Sequence, residues 1–336
     1  MSSAELDFSH FLKVIGSSKS VGLTAPAWGD GDSVGTQSAL KEYLEAKFPK
    51  LQVRIINETP CPKRYQFLKE GPRFEVSSDL LAQAPATWPE IMVCVDGNFE
   101  RIGDDTMKIW KAAKLRGQVD HHAITGAKAY DFRLYDPKAA ATTEIVYKLI
   151  SSTGGALTKS IAQAIYLGLI FDTGLFKHSN TTPETMQIGA KLLECGFDHT
   201  ETAERGMLIR TPGAFLMLRA LLTDAHFDVK GRYVWGVLNY DAFQKAGGDS
   251  EDREGLIDQM FLTELCEIAA FYFEPTPGQW KISFRSRKSW DVAALARTLN
   301  PDGGGHVRAA GCSLKGSQET VLNSCHIAVK KLLESK

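Results

Sequence analysis

Three strand-like runs in the first 120 residues each lead into an acidic turn. Val21 to Ala25 precedes Asp30 and Asp32, Met92 to Val95 precedes Asp96, and Leu115 to Val119 precedes Asp120, His121 and His122. Short runs of this kind, bounded by turn formers, read as buried strands, and the helical periodicity between them, as in Val34 to Phe48, reads as crossover helices. Strands alternating with helices predict an α/β domain with a mostly parallel sheet and helices on both faces. Ligands bind such sheets outside the carboxyl ends of the strands, where these acids fall.

The rest of the chain extends this pattern. An amphipathic helix is expected over Leu6 to Ile15 and a further strand at QVRIINE. Beyond Ala139 the periodicity is helical through TTEIVYKLI, IAQAIYLGLIF, ETMQIGAKLLECG and GAFLMLRALLTDAH, with Gly196 as a C-terminal stop. Strands follow at YVWGVLNY, LCEIAAFYFE and WKISFRS, then a helix at Val292 to Leu299, a glycine run, and a last helix from Gln318 to Leu333. The expected organisation is an α/β domain over residues 1–190, a helical linker over 191–220, and a smaller α/β domain with a mixed sheet over 221–336.

At 336 residues, with 39 basic against 40 acidic side chains and a formal net charge of −1, the chain has no global positive field to hold long nucleic acid. A nucleic-acid substrate should therefore be short. Lys281, Arg285, Arg287 and Lys288 form a local basic cluster that either meets a phosphate or solvates a strand end. Six cysteines without a Cys-x-x-Cys spacing indicate neither a disulfide framework nor a zinc cage. The acidic start, MSSAELDFSH, is unlike a signal peptide, and no run approaches a membrane span, so a reducing cytoplasm is the expected location.

Asp30 and Asp32 flank one glycine in WGDGDSVG, and closely spaced carboxylates repel unless a cation or proton lies between them. An EF-hand is excluded because Val34 and Lys41 stand where its ligands belong. A dinucleotide fingerprint from Gly29 is excluded because Val34 stands where a glycine belongs. A plain turn with Asp32 or Ser33 capping a helix stays open. Asp96 follows a buried strand, where an acid can cap a helix or bind an ion. In QVDHHAI the adjacent imidazoles can point apart, one toward a metal and one toward substrate. Asp172 abuts the apolar run Ile165 to Phe171, and a carboxylate buried there is costly unless paired or metal-bound. Four separate accidents are less probable than one shared cation site.

In order, DGD, VDG, DHH and FDTG resemble the four N-terminal motifs of the DHH phosphoesterase superfamily, which includes RecJ-type exonucleases, family II pyrophosphatases and nanoRNase/pAp phosphatases. GGGHVRAAG, Gly303 to Gly311, resembles the glycine-rich signature of the domain that accompanies it. SFRSRKSWDVAALARTLNPDGGGHVRAAG is most similar to the nanoRNase/pAp phosphatase branch. The resemblance implies two Mn2+ ions, with Mg2+ or Co2+ as substitutes. Asp30 and Asp96 would hold the first, and Asp32, Asp96, His121 and Asp172 the second. Asp120 would orient His121 and His122 would contact the scissile phosphate. Arg285, Ser286, Gly304, Gly305 and His306 would bind substrate, with Gly303 to Gly305 as a backbone anion nest. The implied reaction is hydrolysis of short oligonucleotides or small nucleotides such as 3′,5′-bisphosphorylated adenosine, by a chain able to form a homodimer. The family's first-motif imidazole is replaced by Pro26, which implies a weak first site and the alternative of a nucleotide-binding relative with little or no turnover.

Overall fold

The computed structural model describes residues 5–27, 29–122 and 129–334, with Pro72 described through its backbone alone. Trp28 of the first acidic motif, and Ala123 and Ile124 of the third, lie outside the described residues. Two compact units divide after Ile209, a position inside the 191–220 span.

The first unit has eight α-helices among its described residues: α1 (Phe8–Gly16), α2 (Gly31–Lys47), α3 (Ser77–Leu81), α4 (Asp104–Ala112), α5 (Thr142–Ser152), α6 (Lys159–Asp172), α7 (Pro183–Leu193) and α8 (His199–Ala203). Its six strands are β1 (Ser20–Thr24), β2 (Gln52–Asn57), β3 (Glu75–Val76), β4 (Ile91–Val95), β5 (Leu115–Asp120) and β6 (Phe132–Tyr135). They form one sheet in the order β3-β2-β1-β4-β5-β6, and every pairing is parallel. Alternation along β4 shows how both faces are covered. Ile91, Val93 and Val95 join the core that holds α1, α2, α5 and α6, whereas Met92 and Cys94 join a second core with Ile109 and Trp110 of α4.

Strand order reverses between β1 and β4, so the loops after these strands diverge and open a crevice at their carboxyl ends. On one face of the sheet α2 and α6 pack closely against each other. A Cβ on Gly35 would lie 2.3 Å from the Ala164 carbonyl oxygen, and one on Gly168 would lie 2.4 Å from Asp32 Oδ1. Only glycine permits this approach.

The second unit contains α9 (Pro212–Thr223), α10 (Tyr240–Ala246), α11 (Leu256–Phe261), α12 (Val292–Leu299) and α13 (Gln318–Glu334). Its strands β7 (His226–Asp228), β8 (Tyr233–Leu238), β9 (Ile268–Thr276), β10 (Gln279–Ser286), β11 (Gly304–His306) and β12 (Ala309–Lys315) are ordered β11-β12-β10-β9-β8-β7. The sheet is mixed, parallel at β8–β9 and antiparallel elsewhere. Helices α12 and α13 cover one face, and α9, α10 and α11 the other. All six cysteines are free, and five are buried. No helix among the described residues is long and apolar enough to cross a membrane.

Two stretches singled out by the sequence take a definite form in the second unit. Gly304 and Gly305 of the glycine run lie in a strand, β11, paired with β12. A Cβ on Gly303 would meet the Ala296 carbonyl oxygen at 2.6 Å, and one on Gly305, at φ 134°, the Ala309 carbonyl oxygen at 2.5 Å, so packing demands these two glycines. Gly304 alone of the three has open space beside it. The basic cluster is largely spent inside the unit. Arg287 donates to the Phe261, Thr263 and Glu264 carbonyls, Lys288 pairs with Glu267, and Arg285 donates to Asp258 at 2.9 Å.

Candidate metal centre

Each acid reaches the crevice for a local reason. Asp30 ends the turn after β1 and caps α2, its Oδ1 accepting the Asp32 and Ser33 amides at 3.0 Å. The cap is therefore Asp30 and not Asp32 or Ser33. Asp32, in the first turn of α2, is fully buried and faces the N-terminus of α5. Its Oδ2 accepts the Thr142 amide at 2.6 Å, and its Oδ1 accepts the Thr143 amide at 3.0 Å and hydroxyl at 2.8 Å.

Asp96 leaves β4 at φ 55°, a left-handed backbone that Asp tolerates better than most side chains. Its Oδ1 accepts the Thr142 hydroxyl at 2.9 Å. Asp172 closes α6, where the negative pole of the helix disfavours an anion, so the carboxylate is placed against local electrostatics. His121 answers it: Nε2 lies 3.0 Å from Asp172 Oδ2 and 3.8 Å from Asp96 Oδ1.

One ligand atom from each of Asp32, Asp96, His121 and Asp172 falls within 4.8 Å of all the others. Asp96, His121 and His122 satisfy the same limit, whereas Asp30 joins neither group. His121 Nδ1 bonds the Ala139 carbonyl at 3.0 Å, which fixes the ring and turns Nε2 toward the three carboxylates. That Nε2 is buried and makes no well-aligned hydrogen bond. Three oxygen donors around an imidazole nitrogen held in this way fit a divalent transition metal.

Asp120 does not orient His121, as the sequence reading expected. Its Oδ1 accepts from His122, at 3.1 Å from the amide and 2.9 Å from Nδ1, and its Oδ2 accepts the Gln118 side-chain amide at 3.1 Å. The carbonyl of Ala139 has the role assigned to Asp120. Backbone oxygens carry no residue signature, which is why the motif could not reveal it.

The electrostatics are those of an anion cluster seeking a cation. Burial, and then the charges of Asp32, Asp30, Asp172 and Asp120, raise the Asp96 carboxyl well above the usual range. Asp30 is also raised, chiefly by burial. Burial and Asp32 push Asp172 up to about 6, with His121 opposing. Burial works against a charged His121, yet Asp172 and Asp32 prevail and raise the imidazole to about 10. Among the described residues the ion pairs to these carboxylates come from His121 and His122.

In the second unit the expected substrate residues are partly committed. Arg285 is paired with Asp258, and the buried Ser286 donates to the Trp290 carbonyl at 2.7 Å, whereas His306 is exposed.

Fold and site together define a two-unit α/β protein with a cluster of acids and an imidazole, able to hold a cation, at the carboxyl ends of a parallel sheet. Residues 25–169 match the DHH family N-terminal domain and residues 241–333 match the DHHA1 domain. The chain thus carries a DHH N-terminal domain followed by a DHHA1 domain. It is 36% identical over 198 residues to the bifunctional oligoribonuclease and PAP phosphatase NrnA of Thermus thermophilus, a stretch covering 59% of this chain and 58% of that protein. To the protein of the same name from Bacillus subtilis it is 27% identical over 289 residues, covering 85% and 86% of the two chains. The crystal structure of an exopolyphosphatase-related protein from Bacteroides fragilis shares the fold, with a TM-score of 0.88, 21% identity, and coverage of 96% of this chain and 95% of that one.

Proposed function

We propose that the chain is a metal-dependent phosphoesterase hydrolysing short oligonucleotides or small nucleotides such as 3′,5′-bisphosphorylated adenosine. The observation that carries this reading is the convergence of Asp32, Asp96, His121 and Asp172. Relatives named as oligoribonucleases and PAP phosphatases support the substrate class. A net charge of −1 favours a small substrate over a long strand.

These four residues would hold the cation, with Mn2+ the expected ion and Mg2+ or Co2+ compatible with the same donors. A bound divalent ion supplies Lewis acidity toward a phosphoryl oxygen and a more acidic water. The chain's own contribution is preorganisation. Thr142 and Thr143 hold Asp32 and Asp96 in place, so little reorganisation accompanies substrate arrival. Asp120 fixes the His122 ring through Nδ1, and Nε2 is then the atom that would meet a phosphoryl oxygen. In the second unit, His306 and the open backbone at Gly304 are the groups expected to contact substrate, with Arg285, Ser286 and Gly305 supporting them.

A second reading, a nucleotide binder with little or no turnover, is favoured by one observation. Asp30 is engaged as a helix cap and Pro26 packs on Gly97, so a first ion would find few donors. Incubation with Mn2+ and RNAs of two to five nucleotides, beside 3′,5′-bisphosphorylated adenosine, separates the readings. The proposal expects release of mononucleotide or phosphate. Calorimetric binding of a dinucleotide with no product from any substrate would favour the second reading.

A further inference from the structure

The chain immediately after Asp172 takes an expensive path. Gly174, Leu175 and Phe176 are consecutive left-handed residues, at φ 55°, 61° and 63°. Each non-glycine residue there costs roughly 1–2 kcal/mol. Packing holds the turn, since Leu175 and Phe176 lie against the main core. Its effect is to double the chain back so that two later side chains return to the end of α6. His178 Nδ1 bonds the Asp172 carbonyl at 3.1 Å, and Asn180 Nδ2 donates to the same oxygen at 3.2 Å.

Asn180 also reaches a second segment. The same Nδ2 donates to the Ala140 carbonyl at 2.9 Å. The neighbouring Ala139 carbonyl receives His121 Nδ1, and Thr142, two residues on from Ala140, serves both Asp32 and Asp96. One side-chain amide therefore ties the backbone of the fourth ligand to the segment that orients the other three. The amide orientation is dictated by its partners, because the reversed group would set an oxygen against two carbonyls. In this orientation Oδ1 is buried with no hydrogen-bond partner, a cost that burial of an apolar side chain would avoid.

Resting on the cation reading above, we propose that Asn180 is a positioning residue for the cation site, locking Asp172 to the 139–142 segment so that the four ligands are held at binding distance before an ion arrives. Residues that orient metal ligands typically carry about 10–100-fold in affinity.

The test is titration calorimetry of Mn2+ against the wild-type chain, Asn180→Leu and Asn180→Asp, with thermal melts of each in chelator. Asn180→Leu removes the donors and the unpartnered oxygen together. It should melt close to wild type while binding Mn2+ about tenfold or more weakly, and Asn180→Asp should bind at least as weakly. Thr158→Ala, which removes the cap at the far end of α6, should lower the melting temperature without changing the Mn2+ affinity of the folded protein. If Asn180→Leu does not fold, Asn180→Ser permits the same comparison. Asn180 variants with lowered melting temperatures but wild-type Mn2+ affinity would overturn the proposal by showing a purely structural role. Wild-type protein that takes up no Mn2+ would remove the cation reading beneath it.

Discussion

The pyrrolidine ring of Pro26 packs over Gly97, so closely that a Cβ on Gly97 would stand 2.6 Å from Pro26 Cγ. Gly97 follows Asp96, so an apolar ring lies beside the chain at the carboxylate that two adjacent ions would share. Asp30 Oδ1, near the same edge, is engaged in capping α2. Replacing Pro26 with histidine should add an imidazole at this edge and allow a second Mn2+ to bind. Elemental analysis of Mn2+-loaded protein measures this directly, and an unchanged metal content in Pro26→His would mean that the edge cannot be converted by one ligand.

Asp96 faces four other carboxylates, and its carboxyl is raised by burial and by those charges. Asn is nearly isosteric and tolerates the left-handed backbone at φ 55°. Asp96→Asn should therefore raise the stability of the ion-free protein while removing Mn2+ binding and phosphoester hydrolysis. Thermal melts in chelator, paired with a turnover assay, check both halves. A destabilised ion-free variant would show that repulsion at this position is already offset elsewhere.

Stability of the ion-free protein should fall as pH rises. Asp172, raised to about 6, binds its proton more tightly in the folded state, so its contribution is present at low pH and lost as pH climbs from about 4 to about 6. His121, raised to about 10, favours the folded state below its unfolded value near 6.5, and that contribution is lost as pH rises toward 10. Mn2+ binding requires these groups deprotonated, so stabilisation by the ion should grow across the same range. Melting temperatures from pH 5 to 9, with and without Mn2+, should diverge steadily. Parallel curves would contradict the assignment of His121 as a ligand.

The elements that position the site were legible because their signals are local. β1, β2, β4 and β5 and helices α2, α5, α6 and α12 follow from apolar periodicity, and Asp32, Asp96, His121 and Asp172 from their places at strand ends and beside an apolar run. Short strands were not legible. β6 (FRLY) lacks a long apolar run, and β11 and β12 are rich in glycine and alanine, so they are strands through pairing and not through propensity. The hydrogen bonds that hold the ligands were hidden for a similar reason. Thr142, Thr143 and the Ala139 carbonyl sit at the start of an ordinary helix, and only tertiary contact shows that this N-terminus points at Asp32.

Asp32 and Asp172 ride on α2 and α6, whose separation is set by Gly35. A methyl group there would meet the Ala164 carbonyl oxygen at 2.3 Å, and a backbone atom within a helix cannot step aside. Gly35→Ala should cost about 1–3 kcal/mol of stability and weaken Mn2+ binding by moving the two ligands apart. Chemical denaturation with calorimetry would show both effects, and a lowered midpoint with unchanged affinity would mean that the crevice absorbs the shift.

Asp32, Asp96, His121 and Asp172 are expected to bind a catalytic cation. Anomalous scattering at the manganese edge from crystals grown with Mn2+ tests it most directly. The expected result is a peak about 2.0–2.2 Å from His121 Nε2 and from an oxygen of each carboxylate. A crystal in which Mn2+ scatters elsewhere, or not at all, while His121 stays paired with Asp172 would contradict it.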